Sequence, residues 1–375
     1  VTVSPPRVSP SGVGLPDDLG RLIDRITAEL GVVDLPEPPF EHPPGEPTAD
    51  WMRRVAAVRA QHDEHARSRR AVLDRLAREL FGFDAAGLLG DPGALTRRAA
   101  VLPVVSDRVL LRLAPGHPTP VPQPWQVLDH ARAVPVQLTV PEQPRAAIIR
   151  LHGGAFWMGG GSTPAVIDRV LIDALASRCD AVVVDVDYRL APEHPYPAAV
   201  LDALHALDQV RVNADRLGVD PARIALVGTS SGANVATTAA MLDAARSDVV
   251  PIAALALVVP SVDATSAPAS LRDDAVAWQK RQRMLRGYLG SGVQPSDRRI
   301  SPALQTELPG MPPTFAVVAE FDEVAVGGEA LCRAIRMGGG DAEARVYPMT
   351  HTTATPAVEA AYVEDLITFL AARLG

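Results

Sequence analysis

From Ala146 onward, short apolar runs alternate with longer segments whose apolar residues recur at helical spacing. The runs are Ala146 to Leu151, Ala181 to Val186, Ile224 to Val227, Ile252 to Val259, Thr314 to Ala319 and Ala344 to Tyr347. Continuous runs this short suit strands covered on both faces. Between them Pro164 to Arg178, Ala198 to Leu217, Val235 to Arg246, Gly328 to Met337 and Val358 to Leu374 predict helices. The alternation predicts an α/β fold, a doubly wound and mostly parallel sheet with helices on both sides. One link is too long. Between Val259 and Thr314 lies an insertion with an amphipathic segment, Leu271 to Leu289, carrying Trp278, Met284, Leu285 and Tyr288. An insertion at the C-terminal side of a parallel sheet is more often functional than decorative.

The pattern before Ala146 differs. Asp17 to Val32 predicts a helix with Leu19, Leu22, Ile23, Ile26 and Leu30 on one face, and the proline-dense Leu35 to Pro47 an extended connector. Ala49 to about Phe81 predicts a long helix with Thr48 as its N-cap. Its apolar stripe, Trp51, Met52, Val55 and Val58, returns at Val72, Leu73, Leu76 and Leu80. Between them Gln61 to Arg70 is charged or polar on nearly every face, which predicts a solvated face or a break, with a partner-binding helix as the alternative. Val109 to Leu113 and Val134 to Val140 predict strands or loops at a sheet edge. The chain thus divides into an N-terminal helical arm, 1–105, and an α/β domain, 106–375, with a cap insertion at about 262–300.

Charge and composition narrow the function. A formal charge of −8 and a pI near 5.6 argue against a nucleic-acid surface. No apolar run approaches the ~18 residues needed to span a bilayer. Cys179 and Cys332 belong to no C-x-x-C pair and fit reduced thiols, so a cytoplasmic protein is expected. Lys280 is the sole lysine, which leaves little room for Schiff-base chemistry, and the arginine, alanine and proline bias suggests a bacterial origin. His62 and His65 lack further ligands, so no metal site is expected. Gly159 to Thr163 lacks the lysine of a phosphate loop.

The candidate chemistry centres on Gly228-Thr229-Ser230-Ser231-Gly232, which lies between a predicted strand and a predicted helix. Gly-x-Ser-x-Gly in that setting is a nucleophile elbow, a strained turn that exposes the serine at the edge of the sheet. A serine nucleophile needs a base, an acid to orient it and N–H donors for the oxyanion. On a doubly wound sheet the chain order is serine, acid, histidine. Of nine histidines only His351 follows Ser230, in a loop between the last strand and the last helix. Asp322 is the favoured acid, with Glu320 and Glu323 beside it and Asp263 at the mouth of the insertion as alternatives. His152-Gly153-Gly154-Ala155-Phe156 follows another strand and supplies small residues for an oxyanion loop. Gly153, Gly154 and Ala155 are its candidate donors, joined by the N–H of Ser231, and Phe156 and Trp157 are candidate substrate contacts. His152 precedes the serine and fits a structural role in that loop.

With these residues in place the chain resembles the hormone-sensitive-lipase family of α/β-hydrolases. His152 to Phe156 is similar to the family's oxyanion motif, Asp187-Tyr188-Arg189-Leu190-Ala191-Pro192-Glu193-His194-Pro195-Tyr196-Pro197-Ala198-Ala199 to a long signature, and Gly228 to Gly232 to its elbow. The resemblance runs from about Val134 to Gly375. It implies the α/β-hydrolase fold with a helical cap from the N-terminal extension and the insertion. It also implies hydrolysis of a small or medium ester through a covalent acyl-enzyme, without metal or organic cofactor. The partner is then a small-molecule ester, with a homodimer left open. The chain departs from the family at Ala155, where a third glycine is usual. It departs again at Asp322 to Val326 and at Thr352-Thr353, where glycine and an aromatic are usual. A thioesterase, formamidase or acyltransferase would keep the same three residues and change the acceptor. A catalytically silent binding protein on this fold usually lacks one of them.

Overall fold

The computed structural model describes residues 13–31, 33–83, 95–102, 134–266, 275–290, 292–322 and 324–375. Its centre is one eight-stranded sheet. The strands are β1 (Thr96–Leu102), β2 (Val134–Val140), β3 (Ala146–Leu151), β4 (Ala181–Val186), β5 (Ile224–Thr229), β6 (Ala254–Val258), β7 (Thr314–Phe321) and β8 (Ala342–Thr350). Their spatial order is β1-β2-β4-β3-β5-β6-β7-β8. β2 runs antiparallel to both neighbours, and the six strands from β4 to β8 are parallel. The mostly parallel, doubly wound sheet expected from the apolar runs is present.

Each central strand divides its side chains between two cores by the period of two. Ala147, Ile149, Leu151, Val182, Val184, Ile224, Leu226, Leu255 and Leu257 pack on one side. Ala146, Ile148, Ala181, Val183, Ala225, Val227, Ala254 and Ala256 pack on the other. The arm forms α1 (Asp17–Leu30) and α2 (Thr48–Phe81). Flanking the sheet are α3 (Pro164–Ile167), α4 (Arg169–Arg178), α5 (Ala198–Val212), α6 (Ala214–Leu217), α7 (Ser231–Ala244), α8 (Ala275–Leu289), α9 (Ala325–Met337) and α10 (Pro356–Leu374). Residues of α5, α7 and α9 cover the first face, and α4 and α10 the second. The helix expected over Pro164 to Arg178 breaks at Asp168, whose carboxylate turns to the buried Arg150, and the one expected over Ala198 to Leu217 breaks at Asn213. The helix after the elbow begins at Ser231, four residues ahead of the expected start.

Several expectations for the arm change. β1 pairs along its whole length with β2, so residues just before the expected 105/106 boundary are sheet. Val109 to Leu113 and Leu271 to Asp274 lie outside the described residues. Pro47, not Thr48, holds the N-cap position of α2. Met52 and Leu80, counted in the apolar stripe, are exposed. The charged stretch Gln61 to Arg70 is neither a break nor a solvated face. The helix runs through it unbroken, with His62 and Asp63 buried. It docks on the loops at the C-terminal ends of the strands. Arg59 binds Glu193, Arg67 donates to Thr163 Oγ1 at 3.1 Å, and Arg70 meets Glu359 at 3.1 Å. Such a contact is made by hydrogen bonds and ion pairs, which an apolar-periodicity rule does not see. Part of the arm's apolar stripe is used within the arm, where Leu22 and Ile26 pack on Leu73 and Leu76, while Leu19 and Ile23 pack on Phe321 and Val58 on the main core. The connector between α1 and α2 meets the insertion helix, with Arg283 2.6 Å from Glu37.

Candidate active site

Ser230 stands between the last residue of β5 and the first of α7, with φ 54° and ψ −115°. Left-handed φ at a serine is strained and persists only where its surroundings hold it. Here the Ser230 N–H donates to Val258 O at 2.8 Å, and Ser230 O accepts from the N–H groups of Ala233 at 3.0 Å and Ser261 at 3.2 Å. Both glycines of the elbow are sterically required. A Cβ on Gly232 would strike the carbonyl oxygens of Leu151 and His152, and one on Gly228 would strike Ala233 Cα at 2.5 Å. The first turn of α7 is tied to the insertion, since Asn234 Nδ2 donates to Ser261 O at 3.0 Å and Ile300 O at 2.7 Å.

Two further parallel strands end beside it. Asp322 follows β7 and His351 follows β8. Ser230 Oγ lies 2.8 Å from His351 Nε2, and His351 Nδ1 lies 2.7 Å from Asp322 Oδ2. Asp322 is buried, and its Oδ1 accepts the Val324 N–H at 3.1 Å. The other acid candidates are placed differently or lie beyond the described residues. Asp263 turns back on its own loop, accepting from Thr265 and Ser266, and Glu323 lies outside the described residues.

The loop after β3 passes against Ser230. A Cβ on Gly153 would lie 3.3 Å from Thr229 O and 3.5 Å from Ser230 Cβ. Gly154, Ala155 and Phe156 take φ of 128°, 50° and 68°, three left-handed residues in succession. Among the described residues, the N–H groups of Gly153, Gly154, Ala155 and Ser231 donate to no backbone carbonyl. His152 braces this loop from beneath. Its ring is buried, its Nδ1 is 2.7 Å from Gly153 O, and it stacks on Tyr188 at 4.2 Å. Burial holds its pKa below the usual value. Behind it a cavity of about 50 Å³, lined by His152, Gly161, Asp185 and Asp187 among others, contains none of Ser230, Asp322 or His351.

Phe156 is buried and stacks on Tyr288 of the insertion helix, with ring centroids 3.7 Å apart. Trp157, expected as a substrate contact, also meets the arm. Its buried ring sits edge-on between Phe40, at 5.6 Å, and His62, at 4.8 Å, so it anchors the arm.

The Asp187 to Ala199 signature has a physical role in this loop. Tyr188 OH donates to His152 O at 2.7 Å, and Asp187 Oδ1 accepts the Gly161 N–H at 2.9 Å. The Ala191 N–H donates to Phe156 O at 3.0 Å. Sequence reasoning missed the arm's contribution. Asp63 accepts the Gly159 N–H at 2.8 Å, Arg59 donates to Trp157 O, and Arg69 reaches the loop after His351. The available signal was the spacing of Arg59, Asp63, Arg67 and Arg70, four polar residues on one helical face.

Among the described residues no group of three or more His, Cys, Asp or Glu is arranged to hold a metal ion. No helix among them is long and apolar enough to cross a membrane.

The pattern of the α/β-hydrolase fold family matches residues 148–354, more than half of the chain. An esterase of Acinetobacter venetianus is 34% identical over 225 residues, covering 58% of this chain and 69% of its own. The carboxylesterase NlhH of Mycobacterium tuberculosis is 34% identical over 227 residues, covering 57% and 69%. Among solved structures, the esterase LipW from Mycobacterium marinum superimposes with a TM-score of 0.62 at 26% identity, over 85% of this chain and 90% of its own. The sheet order, the elbow and these likenesses agree: the chain belongs to the hormone-sensitive-lipase family of α/β-hydrolases and is a hydrolase.

Proposed function

We propose that this hydrolase is a carboxylesterase acting on a small or medium ester, with Ser230 as nucleophile, His351 as base and Asp322 as the acid that orients it. The observation that carries the reading is the continuous pair of hydrogen bonds, 2.8 Å from Ser230 Oγ to His351 Nε2 and 2.7 Å from His351 Nδ1 to Asp322 Oδ2. The esterase relatives support the choice of an ester. In this reading His351 Nε2 accepts the Ser230 proton as Oγ attacks the ester carbonyl, and the Asp322 carboxylate keeps the Nδ1–H tautomer and balances the imidazolium. The N–H groups of Gly153, Gly154, Ala155 and Ser231 receive the oxyanion. Collapse breaks the acyl–oxygen bond, and His351 returns the proton to the departing alcohol. Water, deprotonated by the same imidazole, then releases the acid from Ser230. The cap in this reading is the connector with the insertion helix, supported by the Arg283–Glu37 pair at 2.6 Å and by the stacking of Tyr288 on Phe156.

An alkyl fluorophosphonate tests the assignment, because only an activated serine attacks phosphorus quickly. Intact mass should show one adduct, and peptide mapping should put it on Ser230. Ser230→Ala should abolish labelling and p-nitrophenyl ester turnover together. Labelling that persists in that variant removes the nucleophile assignment.

A further inference from the structure

We propose that Arg69, on the arm helix α2, is a positioning residue for the base, holding the loop that carries His351. The inference rests on the reading of His351 as that base. Its guanidinium reaches the two residues that directly follow, with Nη1 donating to Thr352 O at 3.0 Å and Nη2 to Thr353 Oγ1 at 2.7 Å.

The loop is a tight turn closed on itself. Thr350 N–H donates to Thr353 O at 2.9 Å, and the Thr353 N–H returns to Thr350 Oγ1 at 3.0 Å. His351 stands inside that turn, so a force on Thr352 and Thr353 acts one residue from the imidazole. Thr350 and Thr353 are buried.

Arg69 is placed for this task. Among the described residues no carboxylate pairs with it, and burial pulls its pKa below the usual arginine value. A partly desolvated cation is costly, and here its donors go to two neutral oxygens of one turn. Its neighbours fix the helix on the catalytic domain, Arg67 through Thr163 and Arg70 through Glu359. Arg69 therefore approaches the loop from an anchored backbone. The same arm buttresses the acid, since Leu19 and Ile23 of α1 pack on Phe321, the residue before Asp322. The hydroxyl of Thr353 is the acceptor that makes this grip possible.

A displacement of about 1 Å in a catalytic group can cost on the order of 10²-fold in rate. The full chain with Arg69→Ala, Arg69→Lys or wild-type sequence is assayed on a p-nitrophenyl ester for kcat and KM, with thermal unfolding in parallel. Arg69→Ala is expected to lower kcat roughly 10- to 100-fold with KM changed less than about twofold. Arg69→Lys, which keeps the cation and a donor, should recover part of the loss. Methylguanidinium added to Arg69→Ala should raise kcat, yet leave wild type and His351→Ala unchanged. Three results overturn the inference: wild-type kcat in Arg69→Ala, a loss that follows the unfolded fraction alone, or a lysine variant no better than alanine. Ester turnover that survives His351→Ala overturns the base assignment itself, and with it the positioning role. Turnover lost in His351→Ala and retained in Arg69→Ala removes only the latter.

Discussion

Arg59 and Glu193 lie 134 residues apart and meet end on, with Nη1 donating to Oε1 at 2.9 Å and Nη2 to Oε2 at 2.6 Å. Their side chains are 17% and 9% exposed. Both members of this bidentate pair are largely out of water, so removing one strands the other's charge. Arg59→Ala is expected to destabilise the fold by about 3 kcal/mol, and Glu193→Ala by a similar amount. The double variant should cost far less than the sum. Denaturant unfolding of the four proteins measures that coupling, and additive losses would show that the pair contributes nothing as a pair.

The arm should loosen in acid. His62 is buried, it lies 3.0 Å from Pro36 O through Nε2, and burial holds its pKa below the ordinary histidine value. A depressed folded-state pKa means that the unfolded chain takes up the proton first. The stability is therefore complete above the unfolded pKa of about 6.5 and is lost as pH falls through the folded value. His65 and His152 shift in the same direction by burial and add to the slope. The melting temperature should drop between about pH 7 and pH 5, and His62→Gln should flatten that slope. A slope unchanged in His62→Gln would clear this residue of the effect.

Asp322→Asn should leave the fold intact and lower kcat roughly 10³- to 10⁴-fold. The Val324 N–H fixes which way the new amide turns, because it needs an oxygen at the Oδ1 position. The amide NH₂ then faces His351 Nδ1 and selects the tautomer whose Nε2 already carries a proton and cannot take one from Ser230. Glu320→Gln should change kcat by a few-fold at most. Kinetics on one ester decide between them.

Two glycines predict losses of very different size. Gly232→Ala drives a methyl into the carbonyl oxygens of Leu151 and His152, so the protein should be destabilised by more than about 4 kcal/mol or accumulate insoluble. Gly161 has left-handed φ of 63° with open space around it, so Gly161→Ala should cost only about 1 kcal/mol of backbone strain. Melting temperatures of the two variants make the comparison.

Burial pushes the thiols of Cys179 and Cys332 up to about 12. Neither should react measurably with an aromatic disulfide reagent at pH 8 in the folded protein, because the thiolate is the nucleophile. Both should titrate after denaturation. Prompt reaction of the native protein would mean that the loop or helix carrying the thiol opens.

The sheet was legible because buried strands declare themselves as unbroken apolar runs, and the period of two in Ala147, Ile149 and Leu151 then assigns the faces. Ser230 was legible from the Gly-x-Ser-x-Gly turn and His351 from chain order, since no other histidine follows Ser230, whereas Asp322 stood among several nearby carboxylates. The arm was legible only as helices. Its docking is carried by Arg59, Asp63, Arg67 and Arg69, and nothing in an alternation of apolar and polar residues separates an arginine facing water from one bound to a carbonyl. The packing of Trp157 on the arm was hidden for a related reason. Its place in the oxyanion loop suggests substrate, whereas its ring direction depends on Phe40 and His62, far away in sequence.

The grip of Arg69 on Thr352 also bears on how the chain is made. The two residues are separated by 283 positions, so the helix leaves the ribosome long before its partner exists. At about 5–20 residues per second, the wait is roughly 15–60 s. During it α1 and α2 can already cover each other's leucines, because those contacts lie within the early part of the chain. What stays uncovered is mainly the row of arginines and acids, which water solvates well, beside a few side chains such as Leu19, Ile23 and Phe40 whose apolar partners come later. A docking face built largely from charge lets the earlier-made segment wait for the later-made loop while offering little sticky surface to other nascent chains.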